Sequence, residues 1–290
     1  LDALNNPAVN IRSHAAAQLV THGEKAYLGV DRFLAKHGKN PVFRSRAIWV
    51  LAQLGKQGIA RVKPYLQSKD EMEVVVTYRA LRHSQPDRML EHAKLLAQSS
   101  FASVRREVAV SLKGFPYPDT RDILAHLIAG FDGRNRFYLE ALGVAFHGKE
   151  KQVYDELIAP LFTNPNNWGS KGKNLAWRLH TPKAIRDLDL CIRAQKPPVD
   201  EFRILAMAFA SFHSDEERQE RIDRLQALAQ LPEFSADYYQ VTVEEIIAKD
   251  LNDLQGEMME TSYLIPQQLG QLTEVSKPSE IAQLKGDVTR

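Results

Sequence analysis

The sequence predicts an all-α fold, an α-α superhelix of about seven helix pairs. Three observations carry that reading. A pattern of capping, apolar and basic residues recurs with anchors at Arg12, Arg44, Val75 and Arg105, spaced by 32, 31 and 30 residues. Each recurrence is followed by a second amphipathic segment. No stretch shows the strict alternation of a half-buried strand.

The first helices begin at "NPAVNIRSHAAAQL" (6–19), "NPVFRSRAIWVL" (40–51), "DEMEVVVTYRAL" (70–81) and "SFASVRREVAVSL" (100–112). Asn6, Asn40, Asp70 and Ser100 are the expected N-caps, because short polar side chains accept bonds from the unpaired first N–H groups. Pro7 and Pro41 suit a first helical turn, where no N–H is needed. Ile11, Ala15 and Leu19 fall on one helical face, as do Phe43, Ala47 and Leu51, and Val104, Val108 and Leu112. Weaker echoes are "GKNLAW" (172–177), with Lys173 in the arginine slot, and "FRILAMA" (202–208), with Arg203 in it. The second helices are expected over 25–37, 58–67, 88–98, 120–131, 150–162, 182–194 and 216–230. The repeats therefore occupy 1–230. The remainder, 231–290, is an acidic C-terminal part: a helix over 241–254, then a turn-rich linker or packing strap, with a short last helix over 279–286.

This grammar of Asn/Asp-Pro, apolar-Arg-x-x-Ala and Leu resembles HEAT and HEAT-like (armadillo-type) repeats over about 1–230. A fold of that kind hosts many roles and names none.

The next ladder step, 31 residues after Arg105, lands on Arg136 in "FDGRNRFYLEALG" (131–143). There Asn135 stands where an apolar anchor is expected, and Phe137, Tyr138 and Glu140 are additions. One reading is local repacking next to Gly143. The other is a polar-aromatic interaction patch of Arg134, Arg136, Tyr138 and Glu140, extended by Trp177 and Arg178, although a tryptophan in "LAWRL" is commonly core. Together with "NLAWRLHTPKAI" (174–185) and the ending "PSEIAQLKGDVTR" (278–290), this stretch resembles one family. It is the PVC-type haem-binding CxxCH proteins, membrane-bound-dehydrogenase-type multidomain proteins of bacteria. That resemblance implies a propeller-like region before the repeats, a cytochrome c-type domain after them, and an extracytoplasmic, periplasmic setting. This chain carries no C-x-x-C-H, so it cannot itself attach such a haem.

Bulk properties fit a scaffold. The chain has 290 residues, 44% of them hydrophobic, with a formal net charge of +2. Residues 1–130 carry 19 Lys and Arg against 11 Asp and Glu, whereas 231–290 carry 4 against 11. The acidic tail is therefore a candidate to lie against the basic repeats. No apolar run reaches the ~18 residues of a membrane helix, so no direct membrane insertion is expected. The opening at Leu1 without methionine reads as a fragment of a longer protein. Cys191 is alone and excludes an internal disulfide. No two of the nine histidines are spaced for a paired metal site on a helix face. There is no phosphate-binding glycine loop, no H-E-x-x-H and no nucleophile elbow. No catalytic, cofactor-binding or metal-ligating residue is therefore assigned, and no cofactor is expected. The leading function is a non-catalytic scaffold that contacts another protein or neighbouring domains of the same chain. The alternative is nucleic-acid binding of the DNA-glycosylase-like HEAT type through Lys56, Arg61, Lys63, Arg88, Lys94 and Arg121. An enzyme acting on a small ligand in the groove is the third.

Overall fold

The computed structural model describes residues 2–210, 214–234 and 237–248. The linker or packing strap expected over 258–280 and the short last helix over 279–286 lie outside them, as do all residues of the acidic part beyond 248. Every regular element among the described residues is helical. They form two compact units, residues 2–131 with 140–149, and residues 132–139 with the described residues between 150 and 248.

The first unit contains α1 (Val9–Thr21), α2 (Tyr27–His37), α3 (Pro41–Ala52), α4 (Gly55–Val62), α5 (Glu71–Ser84), α6 (Met89–Leu96), α7 (Ala102–Ser111) and α8 (Tyr117–Ala129). It also holds the later part of α9 (Arg136–Phe146). α1, α3, α5 and α7 pack each against the next, and α3 with α4, α5 with α6, and α7 with α8 form pairs. The core runs through Val30, Phe33, Ile48, Leu51, Val62, Tyr78, Leu81, Val104, Val108, Leu112 and Leu124. Small residues set the spacing: a Cβ on Gly58 would come within 2.0 Å of the Leu51 carbonyl oxygen.

The basic ladder is a set of staples. Arg12, Arg44 and Arg105 are each the fourth residue of their helix. Each guanidinium reaches back six residues to a linker carbonyl: Arg12 to Asn6 O (2.9 Å), Arg44 to Gly38 O (3.3 Å) and Arg105 to Ser99 O (2.5 Å). Two also reach forward. Arg44 bonds Asp70 Oδ2 (3.4 Å), the cap of α5, and pairs with Glu73 (2.5 Å). Arg105 donates to Gly130 O (2.9 Å). Arg105 thereby satisfies carbonyls at two successive turns, whereas Arg44 joins one carbonyl to two carboxylates of the next helix start. The charges of this ladder are spent inside the protein.

Asn40 and Asp70 cap as expected, accepting from Val42 N and Phe43 N, and from Met72 N and Glu73 N. Asn6 and Ser100 do not. α1 starts after Ala8, and Asn6 instead closes a turn by accepting from Ala8 N (2.9 Å), so Pro7 precedes the helix. α7 starts after Phe101, and Ser99 plays the equivalent turn role at 3.2 Å. The face Ile11–Ala15–Leu19 is not buried: no residue of α1 is, and Ile11 is exposed. Trp49 is half-buried, its ring 5.8 Å from that of His83.

His92 is buried on α6 with no hydrogen-bond partner for Nε2. Burial pushes its imidazole below the ordinary histidine range; Lys63 and Arg88 push the same way and Glu91 opposes. The unfolded chain therefore takes up this proton more readily than the folded one. The stability contribution is intact above about pH 6.5 and is lost as pH falls below it. The unfolding midpoint of the first unit is expected to drop along this limb, and His92→Gln to flatten it. An unchanged limb in the variant would overturn the assignment.

The second unit contains the start of α9, then α10 (Glu150–Val153), α11 (Ser170–Leu179), α12 (Pro182–Gln195), α13 (Val199–Ala206), α14 (Asp215–Ala229) and α15 (Asp237–Ala248). α11 packs on α12, α12 on α14, and both α13 and α14 on α15, around Tyr154, Leu175, Leu188, Ile192, Phe202, Phe209, Leu228 and Phe234. The segment 150–162, expected as one helix, is three: α10, a π-helical turn over Tyr154–Ile158 and a 3-10 turn over Ala159–Leu161. Pro160 has no N–H to give and crowds the carbonyl four residues back, so the regular ladder gives way before it. Lys173 pairs forward with Glu201, 28 residues on, as the arginine staples do. Arg221 is buried and donates to His180 O (3.0 Å) and Ala208 O (3.4 Å).

Candidate functional site

The irregular stretch is a rebuilt helix start. The chain turns at Asp132–Gly133, where Gly133 has φ 83°. Asp132 Oδ1 accepts from Arg134 N (2.8 Å) and Asn135 N (2.9 Å). The Asn135 amide N–H, then that of Arg134 and the Arg134 charge, hold the Asp132 carboxyl below the usual range against the opposing effect of burial. Asn135 Oδ1 accepts from Tyr138 N at 3.0 Å, and its carbonyl accepts from Leu139 N at 3.0 Å. Asn135 is therefore the N-cap of α9. An apolar anchor there would leave the first turn without that acceptor. Arg136 keeps the ladder spacing but is the first residue of its helix, not the fourth.

The same turn approaches the start of α11. A Cβ on Gly133 would sit 2.7 Å from Lys171 N, and Asn174 Nδ2 donates to Gly133 O at 2.8 Å. Burial pushes the Lys171 ammonium below its ordinary value, and Asp132 opposes that. The Arg136 guanidinium lies over the Trp177 ring, 4.4 Å from its centre. Trp177 is buried and its Nε1 donates to Ile204 O (2.8 Å) on α13. A cation held over a largely desolvated indole contributes on the order of 1–2 kcal/mol.

The structure thus brings Arg136 and Trp177 together, from two stretches that the sequence singled out separately. The interaction patch is not uniformly exposed: Tyr138 and Trp177 are buried, Arg136 and Arg178 half-buried, and Arg134 faces solvent. Glu140, half-buried, belongs to the other unit. Buried rings cannot meet a partner directly, so within this patch Arg134 is the side chain best placed to do so. Sequence reasoning left Phe137 out of the patch, yet the residue is 65% exposed. Its place one residue before Tyr138 and two before Leu139, both core-facing, was the available signal.

The joint has the chemistry of a rigid mount: a capped turn, a stacked cation and an indole anchored to a neighbouring helix. Among the described residues, no group of three or more His, Cys, Asp or Glu side chains could hold a metal ion. No helix of the described residues is long and apolar enough to cross a membrane. Of the six basic residues that could meet nucleic acid, Arg61 is paired with Asp31 (2.6 Å) and stacks on Tyr27, and Arg88 is paired with Glu91. Asp132→Ala is expected to cost about 1 kcal/mol through loss of the turn acceptor, while Asp132→Asn keeps that acceptor, loses only the charge-dependent part and costs less at pH 7. Because the folded carboxyl titrates lower than the unfolded one, its contribution is present above about pH 4 and lost as pH falls further. Urea titrations of both variants measure this; equal losses would remove the acceptor role. No protein-family model matches the chain, and no curated protein and no solved structure matches it either.

Proposed function

We propose that this chain is a non-catalytic HEAT-like scaffold, an α-α superhelix of about seven helix pairs over 1–230, whose surface holds another protein or neighbouring domains of a longer chain. The observation that carries this reading is the staple: Arg44, Arg105 and Lys173 each grip a group 25–28 residues further on. Contacts that join each pair to the next are the construction of repeat arrays. The rigid mount at Arg136–Trp177 supports the same reading, since it fixes Arg134 and Phe137 at a surface. The resemblance to the haem-binding CxxCH proteins implies such a scaffold between a propeller-like and a cytochrome c-type domain in an extracytoplasmic setting.

The test is a visible absorption spectrum and haem stain of the natural protein that contains this chain. A covalent haem supports the interdomain role, and its absence removes the family reading. Small-angle scattering tests the superhelix separately. A compact 290-residue globule has a radius of gyration of roughly 19 Å by the usual scaling. A value at that level would sink the superhelix.

A further inference from the structure

One cleft of the first unit is unrelated to the joint. Lys56, Ile59, Ala60 and Lys63 recur at intervals of three, four and seven residues, so they share one face of α4 and the turn after it. Gln85 and Arg88, from the connection between α5 and α6, stand opposite. Together these six side chains line a cleft of about 250 Å³. Ile59 and Ala60 give its lining an aliphatic part, and Lys56, Lys63 and Arg88 a cationic one.

Three features go beyond a scatter of surface lysines. Lys56 and Lys63 form no ion pair among the described residues, and Lys63 is half-buried. Arg88 is held by Glu91 through two hydrogen bonds, at 2.8 and 2.7 Å, which fixes its place at the cleft. Gln85 Oε1 is buried without a partner, an acceptor that the P–OH of a singly ionised phosphate would meet. Buried polar atoms in that state are rare in a folded protein and mark where a further hydrogen-bonding group belongs. Three cations against one carboxylate leave two positive charges at the cleft, which matches a phosphate monoester of about −1.5 to −2. Lysines act on such a group as point charges, and the Gln85 amide adds a neutral donor.

We propose that this cleft binds a phosphate group borne on a small molecule whose carbon skeleton rests on Ile59 and Ala60. It is a ligand site on the scaffold, independent of the joint and of the scaffold's partner.

The experiment is calorimetric titration of the whole chain with inorganic phosphate at neutral pH, with ionic strength held constant by chloride. Wild type is expected to give a saturable one-site isotherm. Lys63→Met and Lys56→Met are each expected to weaken it about tenfold or more, with unfolding midpoints near wild type. Lys94→Met, an exposed lysine of α6 outside the cleft, is expected to change nothing. No saturable heat in wild type, or equal affinity in Lys63→Met, would overturn the site. Succinate binding as tightly as phosphate and lost in Lys63→Met would overturn phosphate in favour of a carboxylate. A DNA duplex that binds where phosphate does not would replace the site with diffuse backbone attraction.

Discussion

Asp189→Ala is expected to lower the stability of the second unit by about 3 kcal/mol, a large loss for a single change in a charged residue. Asp189 lies on α12 and is 4% exposed. Its Oδ1 accepts from Arg193 Nε at 3.0 Å and its Oδ2 from Arg224 on α14 at 3.2 Å. Arg224 is also bound to Glu220, at 3.1 and 2.9 Å. Truncation leaves two guanidinium groups facing a void with one carboxylate between them. The arginine side chains keep 31% and 27% exposure, so water recovers part of the loss and places it at the low end of the range for broken buried pairs. Asp189→Asn retains shape and one acceptor and should cost about half as much. Combining Asp189→Ala with Arg224→Met should cost less than the separate losses together, because the two side chains share one interaction. Urea unfolding at constant slope measures all three. An unmoved midpoint in Asp189→Ala would show that the pair adds nothing net.

Gly133→Ala is expected to cost about 3 kcal/mol by two routes. A left-handed backbone disfavours any Cβ by roughly 1–2 kcal/mol. The new methyl would also press on the backbone of Lys171, just inside α11, and overpacking of that kind costs about 1–3 kcal/mol. Gly148 separates the two: its φ is 76°, and nothing lies within 4 Å of the Cβ position. Gly148→Ala should therefore show the backbone part alone. The difference between the two variants measures how firmly the rebuilt helix start is seated on α11. Equal losses would mean that the seat gives way freely.

The helices were legible because their signals are local. Asn40 and Asp70 cap where the pattern puts them, since each side chain needs only its own next three residues. The same logic fails at Asn6 and Ser100, where a side chain or its neighbour closes a turn just before the helix; the polar residue is the same and only the backbone angles differ. The break within 150–162 is written in Pro160, but the apolar spacing around it is that of an unbroken helix and masks it. The arginine ladder is visible as spacing, not as purpose, because the carbonyls it grips belong to the backbone and leave no mark in the sequence. Likewise Arg136 and Trp177 stand out only separately. Their stacking depends on Gly133 and Asn174 closing a 41-residue separation. The cleft is hidden for the opposite reason: Arg61 and Arg88 read like Lys56 and Lys63 until Asp31 and Glu91 are seen to occupy them.

The six-residue reach from each ladder arginine back to its linker carbonyl acts as a ruler on the gene. A substitution between Gly38 and Arg44, or between Ser99 and Arg105, leaves the ruler's length intact. One inserted or deleted codon does not, because each added residue swings the guanidinium about 100° around the helix and away from its carbonyl. Length changes are therefore tolerated in the connections the arginines do not span, and one residue inserted between Gly38 and Arg44 should destabilise the first unit more than any single exposed substitution there.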